Sequence, residues 1–294
     1  SDLVFYTFLA RDGTLYCLTD VGVYRYAPES DRFVVAIIPG LTSYWAKTTM
    51  FEDSRGNLWF GTYNGGLYKY EVENDTMIIF DKRDGLAHNF VTYITEDRQN
   101  RIWVGTMDPI GGGGGITMIQ NGRLKNYTEE NGLPDNEIRF IMEDREGNIL
   151  IGSRNKGLSI FKGEQFIHIG EEAGLQDPKT YAIYQFDSGL YWFGTENGIV
   201  EYLPDQPRGN RIRSLEENVS IPQIIRFIKP DQKGTVWIGS EGGGMVEYHS
   251  GTGRFISNAE LNGLLSYDKI IKAVEIDRFN HLWIGTNDGL VYWE

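Results

Sequence analysis

The sequence predicts an all-β protein, a single seven-bladed β-propeller spanning residues 1–294 and made of four-stranded antiparallel blades. Two observations predict it. A short segment built on Trp, an aliphatic or aromatic residue, Gly and Thr or Ser recurs at near-even spacing. Each recurrence also sits inside the same order of strand and turn signals.

Leu58-Trp59-Phe60-Gly61-Thr62 returns as Ile102-Trp103-Val104-Gly105-Thr106, Ile149-Leu150-Ile151-Gly152-Ser153 and Tyr191-Trp192-Phe193-Gly194-Thr195. It returns again as Val236-Trp237-Ile238-Gly239-Ser240 and Leu282-Trp283-Ile284-Gly285-Thr286, and a degenerate first copy reads Leu15-Tyr16-Cys17-Leu18-Thr19. The copies centre on residues 18, 61, 105, 152, 194, 239 and 285, a period of 42 to 47 residues. Self-similarity at such a period marks a repeat architecture.

Each copy opens on a β-prone run such as Phe90-Val91-Thr92-Tyr93-Ile94 or Ile138-Arg139-Phe140-Ile141-Met142. An acidic turn follows, as in Glu143-Asp144-Arg145-Glu146-Gly147-Asn148; copy 5 reads as having this turn shortened to Asp187-Ser188-Gly189. The Trp-Gly segment is the second strand. After a Gly-containing loop comes a third strand, such as Gly66-Leu67-Tyr68-Lys69-Tyr70, and then a weaker fourth, such as Met77-Ile78-Ile79-Phe80. Short strands joined by tight turns form an antiparallel meander. The second strand carries consecutive apolar residues, so both faces of its sheet must be covered. Sheets stacked face to face around an axis satisfy this, and seven lies within the range of propeller blades. Trp59, Trp103, Trp192, Trp237 and Trp283 are therefore expected between adjacent blades. Copy 7 ends on Leu290-Val291-Tyr292-Trp293, a third strand. Blade 7 is expected to have three strands, or a fourth lent by the N-terminal segment or a neighbouring molecule.

Thirty-six glycines and 13% aromatic residues agree with a strand-and-turn protein. No window approaches 18 uninterrupted apolar residues, and the first residues read as neither a basic n-region nor a cleavage site. A net charge of −13 disfavours nucleic acid and contact with an anionic membrane surface. Cys17 stands alone and reads as a small buried strand residue.

The stretches from Asp84-Gly85-Leu86 to Thr106, from Asn131-Gly132-Leu133-Pro134-Asp135-Asn136 to Gly157-Leu158, and from Asn262-Gly263-Leu264 to Gly289-Leu290 share one pattern. It resembles the two-component regulator propeller repeat. The resemblance runs from about Phe5 to Glu294 and is weakest in copy 1, which lacks the Trp and the Gly. It implies the periplasmic sensor region of a hybrid two-component system of Bacteroides-type bacteria, which detects glycans, with a kinase elsewhere in the receptor. Other receptor domains, a second propeller or a second copy of the chain are the partners it implies.

Catalytic chemistry is not indicated. His88, His168, His249 and His281 fall in different copies without ligand spacing, so no metal and no cofactor are expected. Glu52/Asp53, Glu96/Asp97 and Glu143/Asp144 could pass for glycosidase carboxylates. They recur at one repeat position, which points to turn chemistry and solvation. Gly111 to Gly115 belong to a five-residue insertion in copy 3, expected as a flexible surface loop that could line or gate a site.

In a four-stranded meander the loop entering strand one and the loop leaving strand two share an end. This places Leu86–Phe90, Leu133–Glu137, Gln176–Tyr181 and Leu265–Lys269 on one face with Tyr63-Asn64, Arg154-Asn155-Lys156, Glu196-Asn197 and Glu241. The acidic turns lie opposite. Trp45, His88, Arg154, Lys156, Tyr181 and Tyr267 break the repeat on the first face and are the candidate ligand-binding residues. Aromatic faces beside amide, carboxylate and guanidinium groups suit an oligosaccharide. The rival is a lyase resembling the streptogramin-inactivating propellers, which would need a His/Glu/metal cluster that only His88 is placed to join.

Overall fold

A computed structural model describes residues 3–41, 46–111, 113–163, 165–175, 177–207, 210–215, 224–242, 244–265 and 270–294. Seven antiparallel sheets follow in chain order, six of four strands and a seventh of three. The seven first strands are Val4–Leu9, Lys47–Glu52, Val91–Glu96, Ile138–Glu143, Thr180–Gln185, Ile225–Pro230 and Ile271–Ile276. Each touches the next, and the seventh touches the first, so they line the axis and close the ring.

The second-strand glycine is a matter of space. A Cβ on Gly105 would lie 2.7 Å from Ile138 Cγ2, and one on Gly285 would lie 2.8 Å from Val4 Cγ1. Gly61 meets Val91 and Gly194 meets Ile225 in the same way. The glycine thus receives the opening residue of the next blade, and Gly285 against Val4 repeats that contact where the ring closes. None of these four glycines has a positive φ. Between the strands lie side-chain clusters such as Trp103, Ile116 and Tyr127 of blade 3 with Ile138, Ile151 and Phe161 of blade 4. Cys17 is buried in the second strand of blade 1, where burial pushes its thiol up to about 12.

The Asp of the acidic turn does the turn chemistry that its recurrence implies, but it is buried rather than solvated, which corrects that part of the expectation. Asp97 Oδ1 accepts from the backbone N–H groups of Gln99 and Arg101, at 2.9 and 3.0 Å. Its Oδ2 accepts from Trp103 Nε1 at 2.6 Å. Asp53–Trp59, Asp231–Trp237 and Asp277–Trp283 repeat the indole bond at 2.9, 3.4 and 3.1 Å. Blade 4 has Leu150 where the Trp would stand, and Asp144 accepts instead from the Tyr191 hydroxyl of blade 5 at 3.1 Å. The preceding Glu reaches across the blade seam: Ser54 N donates to Glu96 at 2.6 Å and Arg98 N to Glu143 at 2.9 Å.

Three other expectations are corrected. The turn of blade 5 has the usual length, since Phe186 N bonds Leu190 O as Asp53 N bonds Asn57 O. Phe186 simply replaces the Asp, and Trp192 Nε1 turns to Glu201 at 3.1 Å. The glycine run is only partly loop: Gly114 and Gly115 begin the strand Gly114–Gln120. Both have positive φ, and a Cβ on either would lie within 2.6 Å of a backbone oxygen, Asn136 O or Tyr127 O. Finally, Trp59, Trp103, Trp192 and Trp237 are buried, but Trp283 is only half-buried. Among the described residues blade 7 has three strands, and none covers it. A hollow of about 1020 Å³ remains there, floored by Trp283, Tyr292, Phe279, Tyr26 and Phe33.

Candidate functional site

All seven first strands share one irregularity. The pairing with the second strand skips the second residue, as between Ile138 and Phe140, Thr180 and Ala182, and Ile225 and Phe227. The same skip occurs in blades 1, 2, 3 and 7. An extra residue in one strand leaves the ladder and re-aims its side chain. Seven bulged residues therefore ring one mouth of the channel: Phe5, Thr48, Thr92, Arg139, Tyr181, Arg226 and Lys272. Thr48 and Thr92 donate to Val91 O and Ile138 O of the next blade at 2.5 and 2.7 Å, which turns them to structural use. Arg139, Tyr181 and Arg226 are consecutive around the ring and open onto a cavity.

That cavity holds about 640 Å³ and is also lined by Glu137, Arg154, Asn155, Lys179, Glu196 and the loop tip Pro109-Ile110-Gly111. Two further repeat positions supply its charges. Glu137 and Lys179 each immediately precede the opening residue of a first strand; Arg154 and Glu196 each immediately follow a second strand. The signs are exchanged between blades 4 and 5. Arg154 Nη1 lies 2.9 Å from Glu137 Oε2, and Lys179 Nζ lies 2.7 Å from Glu196 Oε2. The Tyr181 hydroxyl donates to Glu196 Oε1 at 2.9 Å. Arg226 Nε donates to Glu241 Oε2 at 2.8 Å while its guanidinium stacks 4.3 Å above the Tyr181 ring. Stacking and hydrogen bonding leave Tyr181 one orientation.

The electrostatics follow. Bonds from Lys179 and then Tyr181 hold the Glu196 carboxyl below its ordinary value. Burial, and then the bond to Glu196, raises Tyr181. Arg139 is depressed, first by burial and then by the like charges of Arg154 and Arg226. Among the described residues Arg139 forms no ion pair, and its buried Nε has no hydrogen-bond partner. Asp135 steadies the loops by accepting from Glu137 N at 3.0 Å and Asn155 N at 2.8 Å.

Of the six residues singled out in the sequence, the structure brings two together here, Arg154 and Tyr181, with part of the glycine insertion beside them. Lys156 is exposed in the same loop as Arg154 but does not line the cavity. His88 does not line it either. Its Nδ1 accepts from Phe90 N at 3.1 Å, and burial lowers its pKa, partly offset by Asp108. Trp45 and Tyr267 lie outside the described residues. Sequence reasoning placed Glu137, Lys179 and Glu196 in loops of this face without singling them out, and it missed Arg139 and Arg226. A signal existed: Arg139 and Arg226 occupy the repeat position of Tyr181, and Glu196 that of Arg154. Among the described residues no group of three or more His, Cys, Asp or Glu side chains is disposed to hold a metal ion. The larger hollow at the blade 7 seam lies where six other blades place a fourth strand, so its origin is architectural.

The two-component regulator propeller family model matches residues 40–64, 85–108 and 132–155, three successive copies of the repeat. Three of its seven copies match the two-component regulator propeller repeat. It is 25% identical over 236 residues to histidine kinase P4 of Formosa agariphila, a match covering 77% of this chain and 14% of that protein. Among solved structures it is similar to the extracellular domain of a putative hybrid two-component system of B. thetaiotaomicron, at 21% identity and a TM-score of 0.80. That match covers all of this chain and 40% of the other. Virginiamycin B lyase of Staphylococcus aureus shares the fold at 11% identity and a TM-score of 0.74, over 99% of this chain and 94% of the lyase. The chain thus spans a small part of the kinase relative and less than half of the receptor domain. No helix among the described residues is long and apolar enough to cross a membrane.

Proposed function

We propose that this chain is a non-catalytic sensing propeller in the periplasmic part of a hybrid two-component receptor, and that its mouth between blades 3 and 6 receives an oligosaccharide. The observation that carries the reading is the mouth cavity. Three structural columns of the repeat are filled there with Arg, Tyr, Lys and Glu, whereas in blades 2 and 3 the bulge column carries Thr bonded to the next blade. Tyr181 offers a ring held in place by Glu196 and Arg226, Asn155 offers an amide, and Ile110 at the loop tip is 95% exposed. A sugar presents CH faces to such a ring and hydroxyls to such groups. The repeat pattern and the kinase and receptor relatives support placing the domain in a receptor. The lyase reading lacks comparable support, since His88 is engaged with its own loop.

The test is a signalling readout in the receptor that contains this domain. Arg154→Ala with Tyr181→Ala should abolish the response to the oligosaccharide on which the cells are grown. Arg55→Ala with Lys233→Ala, exposed in turns on the opposite face, should leave it intact. The reverse outcome would show that the opposite face is the sensing one.

A further inference from the structure

The cavity is lined by four cations, Arg139, Arg154, Lys179 and Arg226, and by two carboxylates, Glu137 and Glu196, with Glu241 beside Arg226 and Asp135 bonded to backbone N–H groups of the loops. Arg154 is matched by Glu137, Lys179 by Glu196 and Arg226 by Glu241. Arg139 stands at one end of this arc, on the bulge of blade 4, without a carboxylate of its own among the described residues. It is partly buried, and the charges of Arg154 and Arg226 press on it, partly offset by Tyr181 and Glu137. A guanidinium is charged at any physiological pH, so it cannot escape the repulsion by losing its proton. A buried charged donor without a partner is costly, and function is the usual reason for keeping one.

Resting on the reading of the mouth as a ligand site, we infer that Arg139 is the anchor for an oxyanion on the ligand, so that the mouth selects an acidic saccharide over its neutral counterpart. The fork of a guanidinium matches a carboxylate or sulfate with two parallel N–H donors. Asn155 and the Tyr181 edge then meet the ring hydroxyls, while the three existing ion pairs hold the wall rigid. The inference concerns one atom group, the Arg139 guanidinium, and the same fork accepts either oxyanion. Carboxylate and sulfate are therefore separated by experiment.

The experiment is calorimetry on the intact chain at low ionic strength, where charge attraction is least screened. The probes are trigalacturonic acid with its carboxyl-reduced neutral counterpart, and a sulfated disaccharide with its desulfated form. One acidic probe should bind on the order of 10- to 100-fold more tightly than its neutral partner. Arg139→Gln should erase that preference, and Arg139→Lys should restore part of it. In parallel, the Nε–H resonance of Arg139, identified by its loss in Arg139→Gln, should shift on titration with inorganic sulfate. Acidic and neutral forms binding alike, with binding lost in Tyr181→Ala, would overturn the inference and leave the mouth reading standing. Binding indifferent to both Arg139→Gln and Tyr181→Ala would overturn both. No binding by any probe and no shift of the Arg139 resonance would overturn the inference alone, leaving the mouth to the receptor assay. A preference that survives in a folded Arg139→Gln protein would also overturn it.

Discussion

The two faces of the ring use the same kind of group in opposite ways. On the turn face the carboxylates of Asp53, Asp97 and Asp144 are buried, and each is committed to local backbone N–H groups and to an indole, amide or phenol. On the mouth face Glu137 and Glu196 are partly exposed and bond to long side chains from neighbouring loops. The first arrangement recurs because every blade needs its first turn braced. The second occurs once, in blades 4 to 6. A repeat protein can build a specific surface only where the repeat does not need the residue for itself, and the mouth columns are such places.

The difference can be broken most severely at the indole. Trp103→Ala removes a fully buried side chain and should cost roughly 3–5 kcal/mol, measured by denaturant unfolding. Trp283→Ala, at the half-buried seam of blade 7, should cost clearly less; equal losses would mean the seam is covered. Asp97→Ala should cost about 3 kcal/mol, since it strands buried donors. Glu137→Ala on the mouth face should cost no more than about 1 kcal/mol, as for other part-exposed pairs. Comparable costs at the two carboxylates would remove the distinction between the faces.

Space along the seam comes next. Gly105→Ala brings a methyl group against Ile138 and Thr92, and should cost about 1–3 kcal/mol in the same unfolding measurement.

Acid sharpens the contrast further. Burial acts to raise Asp53, but the bonds from Asn57 and Trp59 outweigh it and its pKa is lowered; Asp231 and Asp277 behave alike. These groups bind protons less readily folded than unfolded. The stability they contribute is complete above the ordinary carboxylate value of about 4 and is lost as pH falls below it, through the folded pKa. Melting temperature followed from pH 5 to pH 2 should drop less steeply in Asp53→Asn than in the parent chain. The smallest effect belongs to the mouth: Arg154→Ala with Tyr181→Ala should leave the melting temperature within a few degrees of the parent, on the roughly 1 kcal/mol scale of exposed contacts.

Much of this was legible in the residues. The Trp-Gly period gives blade number and strand order, and the meander places Arg154 and Tyr181 on one face. The missed residues were hidden by the way the copies were compared. Arg139 sits in a β-rich run that reads as ordinary strand, and only the skipped pairing in all seven blades shows that its position faces the mouth. Asp97 reads as a polar turn residue because its burial depends on an indole and on a Glu from the following blade. Phe186 is obscured because the Asp that follows it, Asp187, reads as the recurring turn Asp.

The sequence by itself determined the local program: where each strand starts, which turn follows, and which residues depart from the repeat. Those properties depend on neighbours a few residues away, and periodicity reports them directly. Tertiary structure alone decided which departures meet. Arg139, Arg154, Tyr181 and Arg226 are tens of residues apart and come together because the ring places consecutive blades side by side. It also decided that Arg139 has no carboxylate partner among the described residues while its neighbours are paired. Charge pairing depends on distances of a few ångströms, which periodicity along the chain does not encode.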